Sequence, residues 1–175
     1  MRMLGRLLPF LRDTRAVAAA EMALILPMAF ALIFTTMEAG YYFQTQHKAI
    51  KYVREGARFA SRQNFDFFDC SGAGAFDNSA TGAATVQDRI RNVTLTGLVN
   101  GGNARIADWE AADINITVSC DAAYGTGLYS ATDDVKAPKV LIWTRFDYTP
   151  ILGLLGFDIS NIDVVAQAEA PVGGI

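Results

Sequence analysis

One histidine and two cysteines in 175 residues leave the chain almost without soft metal ligands. A structural zinc site needs about four such groups at close spacing, so metal binding is not expected. His47 stands between Gln46 and Lys48, with no cysteine or serine nucleophile in pattern around it. No set of nucleophile, base and orienting group can be assembled, and the chain does not read as an enzyme. Gly72 and Gly74 lack the strand, the third glycine and the downstream acid of a dinucleotide fingerprint. No cofactor or small-molecule substrate is therefore implied. Net charge is also small, at −3. Arg2, Arg6, Arg12 and Arg15 against Asp13 put the first 15 residues at +3 and the remainder at −6. That is the wrong sign for a nucleic-acid partner of the main domain.

Apolar residues, by contrast, make up 51% of the chain. From Val17 to Met37 the only ionisable residue is Glu21. As a helix that stretch reaches about 31 Å, the thickness of a bilayer's hydrocarbon core. A carboxylate at the bilayer centre costs about 2.5–3.5 kcal/mol, which makes Glu21 a functional candidate in need of a positive partner. The basic N-terminus marks the cytoplasmic side. A secretory signal would have a shorter apolar region closed by a small-residue cleavage site, and Met37-Glu38-Ala39-Gly40 fits that poorly. The expected organisation is a basic cytoplasmic leader over 1–16, a transmembrane helix over 17–40 and a periplasmic domain over 41–175. Pro27 is expected to bend the membrane helix locally.

The helical pattern continues from Tyr41 to Arg62 without proline. Ala49, Val53, Gly56, Ala57 and Ala60 share one face of small apolar residues, and Gly56 with Ala57 marks the expected packing surface. Arg54, Arg58 and Arg62 form a second stripe expected to face solvent, with Glu55 spaced to pair with Arg58. Tyr41 and Tyr42 suit the outer membrane boundary.

Cys70 to Gly82 is small, polar and glycine-rich and reads as an exposed loop. Thr85–Val93 reads as a short helix capped by Thr85. Three strands follow, over 114–120, 139–148 and 162–170. The apolar connection Thr149–Phe157 is expected to pack in the core, and Trp109 and Trp143 to anchor the core or an interface. An antiparallel meander covered on one face by the outer part of the long helix satisfies this pattern, an α+β class. Cys70 and Cys120 fall on the same side of the membrane, in a compartment where a disulfide is expected. Such a bridge would tie the glycine-rich segment to the first of the three strands.

The stretch Ala-Val-Ala-Ala-Ala-Glu-Met-Ala-Leu-Ile-Leu-Pro (Ala16–Pro27) resembles the opening of the TadE/TadG-like pilus-assembly family. That family starts with a basic stretch, a small residue, alanines, a glutamate, an apolar run and a proline. Tyr52–Ala60 is similar to its Arg-Glu-Gly-Ala-Arg-aromatic-Ala segment, and Tyr148-Thr149-Pro150 with Gly153 and Gly156 fits its C-terminal part loosely. The resemblance covers about Thr14–Arg62 well and leaves Cys70–Val135 uncovered. It implies a minor pseudopilin of the tight-adherence (Flp-type) pilus machine, with a pilin-like domain anchored once in the bacterial inner membrane.

The implied partners are pilin, other subunits of the machine and a prepilin peptidase. The family's cleavage point makes the glutamate residue five of the mature chain, which places the cut between Ala16 and Val17. The new amine of Val17 would then pair with Glu21, within one subunit or between neighbours. The residue before the cut is usually glycine in that family, and here it is Ala16. An uncut chain is the alternative. Glu21 would then pair with Arg15 or reach water, and the protein would be an anchored scaffold or binding module of an envelope secretion complex.

Overall fold

Alanine, leucine and methionine dominate residues 14–34, and no glycine occurs between Thr14 and Gly40. These are strong helix formers. The computed structural model accordingly has one helix, α1, from Thr14 to Ala60, with Pro27 inside it. The structure describes residues 14–77, 83–122, 127, 129, 136–156 and 162–174. Residues 1–13 lie outside them. The chain divides into two compact units after Tyr41.

In the second unit, Ala49, Val53, Gly56, Ala57 and Ala60 of α1 are all buried, the face that the three- and four-residue spacing marks. The helix stops two residues short of the expected Arg62. Ser61 and Arg62 turn out of it, held by backbone bonds to Ala57 and Phe59.

Alternating β-branched and aromatic residues build the sheet. Strands β3 (Ile114–Ala122), β4 (Lys136–Asp147) and β5 (Asp163–Pro171) form an antiparallel meander in the order β3-β4-β5. Ile116 stands opposite Ile142, and Ile142 opposite Ala168. Val140, Ile142, Thr144 and Phe146 of β4 and Val164 and Ala166 of β5 face inward. The alanines of β5 leave room for the helix to come close to the sheet.

Two side chains of α1 also bind the backbone of β5. Tyr42 Oη donates to the Asp163 carbonyl at 3.3 Å, and Gln46 Nε2 to the Val165 carbonyl at 2.6 Å. Four helical residues rise about 6.0 Å and two strand residues about 6.7 Å. A helix running alongside β5 can therefore satisfy successive carbonyls on the strand's open edge, which blunts that edge against other strands.

A second helix, α2 (Ala83–Thr96), buries Val86, Ile90, Val93 and Thr94. It is longer than the expected 85–93 and starts two residues earlier, so Thr85 lies inside its first turn rather than at its cap. The expected loop over 70–82 is partly structured. Phe68–Asp69 (β1) and Ala75–Phe76 (β2) pair antiparallel, and residues 78–82 lie outside the described residues. Cys70 and Cys120 form a disulfide with Cα atoms 5.5 Å apart. Gly74, at φ +106°, lies against β3, and a Cβ there would meet Ser119 Cα at 2.8 Å. Only glycine combines that φ with so close an approach.

The connection after β4 is described in part. It forms a 3₁₀ turn over Leu152–Leu155, where Ile151 and Leu152 are half-buried and Gly153 and Gly156 exposed. The side chains of Leu154 and Leu155, and Phe157 as a whole, on which the expected core packing depends, lie outside the described residues. The chain end returns to α1, where Gly173 N–H donates to the Ser61 carbonyl at 2.8 Å.

Candidate functional site

Two regions carry chemistry, one in each unit. In the first, the apolar side chains of α1 are exposed around the whole helix. Leu24 is 75% exposed, Ile25 60%, Leu26 44% and Met28 70%. Steps of about 100° per residue spread those four over most of the circumference. The most apolar 18-residue window has a mean hydropathy of 2.2, and none of it is buried. A helix apolar on every side needs an apolar surrounding, and its length suits a bilayer. It fits a single-pass membrane anchor.

Three polar side chains lie between Val17 and Met37: Glu21, Thr35 and Thr36. The two hydroxyls are satisfied within the helix. Thr35 Oγ1 donates to the Ala31 carbonyl at 2.7 Å, and Thr36 Oγ1 to the Ile33 carbonyl at 2.9 Å. Glu21 is exposed, and among the described residues no side chain pairs with it. The helix begins at Thr14, so Ala16 and Val17 lie in its first turn.

In the second unit a trough of about 990 Å³ runs along α1, lined by Lys51, Tyr52, Arg54, Glu55 and Arg58 and closed on one side by Arg105. Glu55 does not pair with Arg58. Its carboxylate takes both arms of Arg105, at 2.6 Å and 3.3 Å. The guanidinium also lies 4.6 Å from the centroid of the Tyr52 ring. The hydrogen bond from Arg105, and then its charge, holds the Glu55 carboxyl below its usual range against the opposing effect of burial.

Arg105 reaches this position because Gly97 ends α2 at φ +80°, where a Cβ would sit 1.4 Å from Arg105 Nη2. Tyr52 stacks on Trp109 at 6.4 Å, and Trp109 on Phe146 at 5.6 Å. Trp109 Nε1–H donates to Thr144 Oγ1 at 2.8 Å inside the core. Trp143, expected as an anchor, is 39% exposed on the opposite face of the sheet.

Residues 16–58 match the family model described as TadE-like protein. The match spans Ala16–Pro27 and most of the Tyr52–Ala60 motif, so the resemblance read from those residues holds over that segment. It ends before the sheet. No curated protein and no solved structure matches the chain. The family so described is associated with pilus assembly, and the match to it covers residues 16–58 alone.

The TadE-like segment contributes Glu21 from its apolar part, and Gly56 and Ala57 from its buried part. It also supplies the cationic flank Lys51, Arg54 and Arg58. Sequence reasoning missed Arg105, Tyr52 and Thr144. Arg105 lies 50 residues from Glu55, in a stretch without periodicity, and its one local signal is the helix-ending Gly97.

Proposed function

We propose that the protein is a minor pseudopilin of a tight-adherence pilus machine. Its leader ends at Ala16, its membrane helix starts at Val17, and its domain from residue 41 onward faces the periplasm. The observation that carries this reading is the position of Glu21, the one ionisable residue from Val17 to Met37 in the segment that matches the TadE-like model. Thr35 and Thr36 bond to their own helix, whereas no side chain among the described residues pairs with the carboxylate of Glu21; the side chain of Arg15 lies outside the described residues. A cut between Ala16 and Val17 creates an amine four residues away on the same helix, or one on a neighbouring subunit. Either pairing offsets two charges that are each costly in lipid.

The prepilin peptidase and the pilin are the partners this reading requires. The four basic residues of the leader support the inward orientation of the N-terminus. Ala16 in place of glycine favours the second reading, an uncut, membrane-anchored scaffold.

Glu21→Val tests the role of the carboxylate. The variant is expected to insert into the membrane at wild-type levels while pilus assembly fails and copurification with pilin is lost. Normal pili from this variant would remove the assembly role from Glu21.

A further inference from the structure

The outer half of α1 and the rest of its unit carry opposite charge. Residues 42–62 hold Lys48, Lys51, Arg54, Arg58 and Arg62 against Glu55 alone, a net charge of +4. Residues 63–175 hold six basic and fourteen acidic residues, a net charge of −8. Glu55 is already committed to Arg105. Lys51, Arg54, Arg58 and Arg62 are exposed and have no ion-pair partner among the described residues. Lys51, Arg54 and Arg58 make a stripe about 10 Å long on the flank of the trough, and Arg62 follows in the turn after the helix. Fixed like charges along one flank repel each other, and an anionic partner relieves that cost.

An acidic corner on the same unit includes the residues on either side of Trp109, which stacks on Tyr52. Asp108, Glu110 and Asp113 fall within six residues, and Asp147 ends β4. Asp108 Oδ2 accepts from Thr149 Oγ1 at 2.7 Å, and Asp113 Oδ2 from the Glu110 N–H at 2.8 Å. These hydrogen bonds fix the carboxylates in place without neutralising them. No cation pairs with any of the four among the described residues. A polyanion such as nucleic acid would meet a net negative domain, whereas a folded surface can match the stripe locally.

We infer that the Lys51–Arg58 flank of α1, with Arg62 in the turn that follows, is a docking surface for the Asp108–Asp113 corner of a second copy of this chain. The contact is heterologous in its chemistry, with a positive patch on one copy receiving a different, negative patch of the other. It is long-range and salt-sensitive, because exposed charges of this kind act over about a Debye length. The inference does not depend on cleavage of the leader or on pilus assembly, so its failure and theirs can be told apart.

The test uses the full-length chain in its native membrane, with benzoylphenylalanine at position 62. Ultraviolet light is expected to give a product of twice the chain's mass, joined to the tryptic peptide that begins at Ile106. Raising the salt from roughly 0.01 M to 1 M shortens the Debye length from about 30 Å to about 3 Å and should suppress it.

Arg54→Glu with Arg58→Glu should cut the yield about tenfold, and the corresponding glutamines by less. Adding Glu110→Arg and Asp147→Arg to the glutamate pair should restore it. All four positions are exposed, and protease resistance of the domain serves as the check on folding. Crosslinks only to lipid or to other proteins overturn the proposal. So do a yield indifferent to charge reversal and a reversal that the complementary pair does not rescue.

Discussion

Gly56 of α1 faces Thr94 of α2 so closely that a Cβ at position 56 would stand 1.9 Å from Thr94 Oγ1. Thr94 is fully buried, and its hydroxyl is held by the Ile90 carbonyl at 2.8 Å. It cannot swing aside without losing that bond. The two helices can approach at this point only because one of them has no side chain there.

Gly56→Ala is therefore expected to destabilise the domain, although alanine is the better helix former by about 1 kcal/mol. Overpacking costs about 1–3 kcal/mol, and a displaced buried hydroxyl adds to it. Gly40→Ala is the control, since nothing lies within 4 Å of a Cβ there. Thermal unfolding of the detergent-solubilised chain should show a lower midpoint for Gly56→Ala and none for Gly40→Ala. Equal midpoints would mean that the close approach is not structurally important.

Thr144→Val should leave the Trp109 Nε1–H buried without an acceptor. An unmet buried donor costs about 1–3 kcal/mol. The same change in a Trp109→Phe background removes no hydrogen bond and should cost distinctly less. A double-mutant cycle on denaturant midpoints reads that coupling. Additive effects would mean that the 2.8 Å contact contributes nothing to stability.

The Glu55–Arg105 pair makes stability depend on acid pH in a defined direction. The folded state holds the Glu55 carboxyl below its usual range. Its contribution is thus complete above the unfolded carboxyl's pKa, about 4.3, and is lost as the pH falls through the lower folded value. The side chains are partly exposed, so the effect is of the order of 0.2–1 kcal/mol and weakens in salt. Glu55→Gln should lower stability at pH 7 and flatten its decline between about pH 5 and 3. An unchanged acid limb would assign that dependence to other carboxylates.

The parts of this fold that were legible in the sequence are those with local periodicity. The buried face Ala49–Ala60 follows from spacing along one helix, and β3 and β5 follow from alternation. In β4 the signal is blurred, because Leu141 and Trp143 on the outer face are as apolar as Val140 and Ile142 within. That is why Trp143 could not be told from Trp109. The two-residue strands β1 and β2 are too short to carry a period. The partner of Glu55 was illegible for another reason. A local i,i+3 arginine is always at hand in the pattern, whereas Arg105 depends on where Gly97 ends α2. Glu21 was visible at once, since a lone charge in an apolar run needs no tertiary information.

The most direct test of the pseudopilin reading is the mass of the N-terminal peptide of the protein taken from its native membrane. The account predicts a mature chain that begins at Val17, with a free amine four residues before Glu21. A chain that begins at Met1 would contradict it and leave the anchored scaffold in its place.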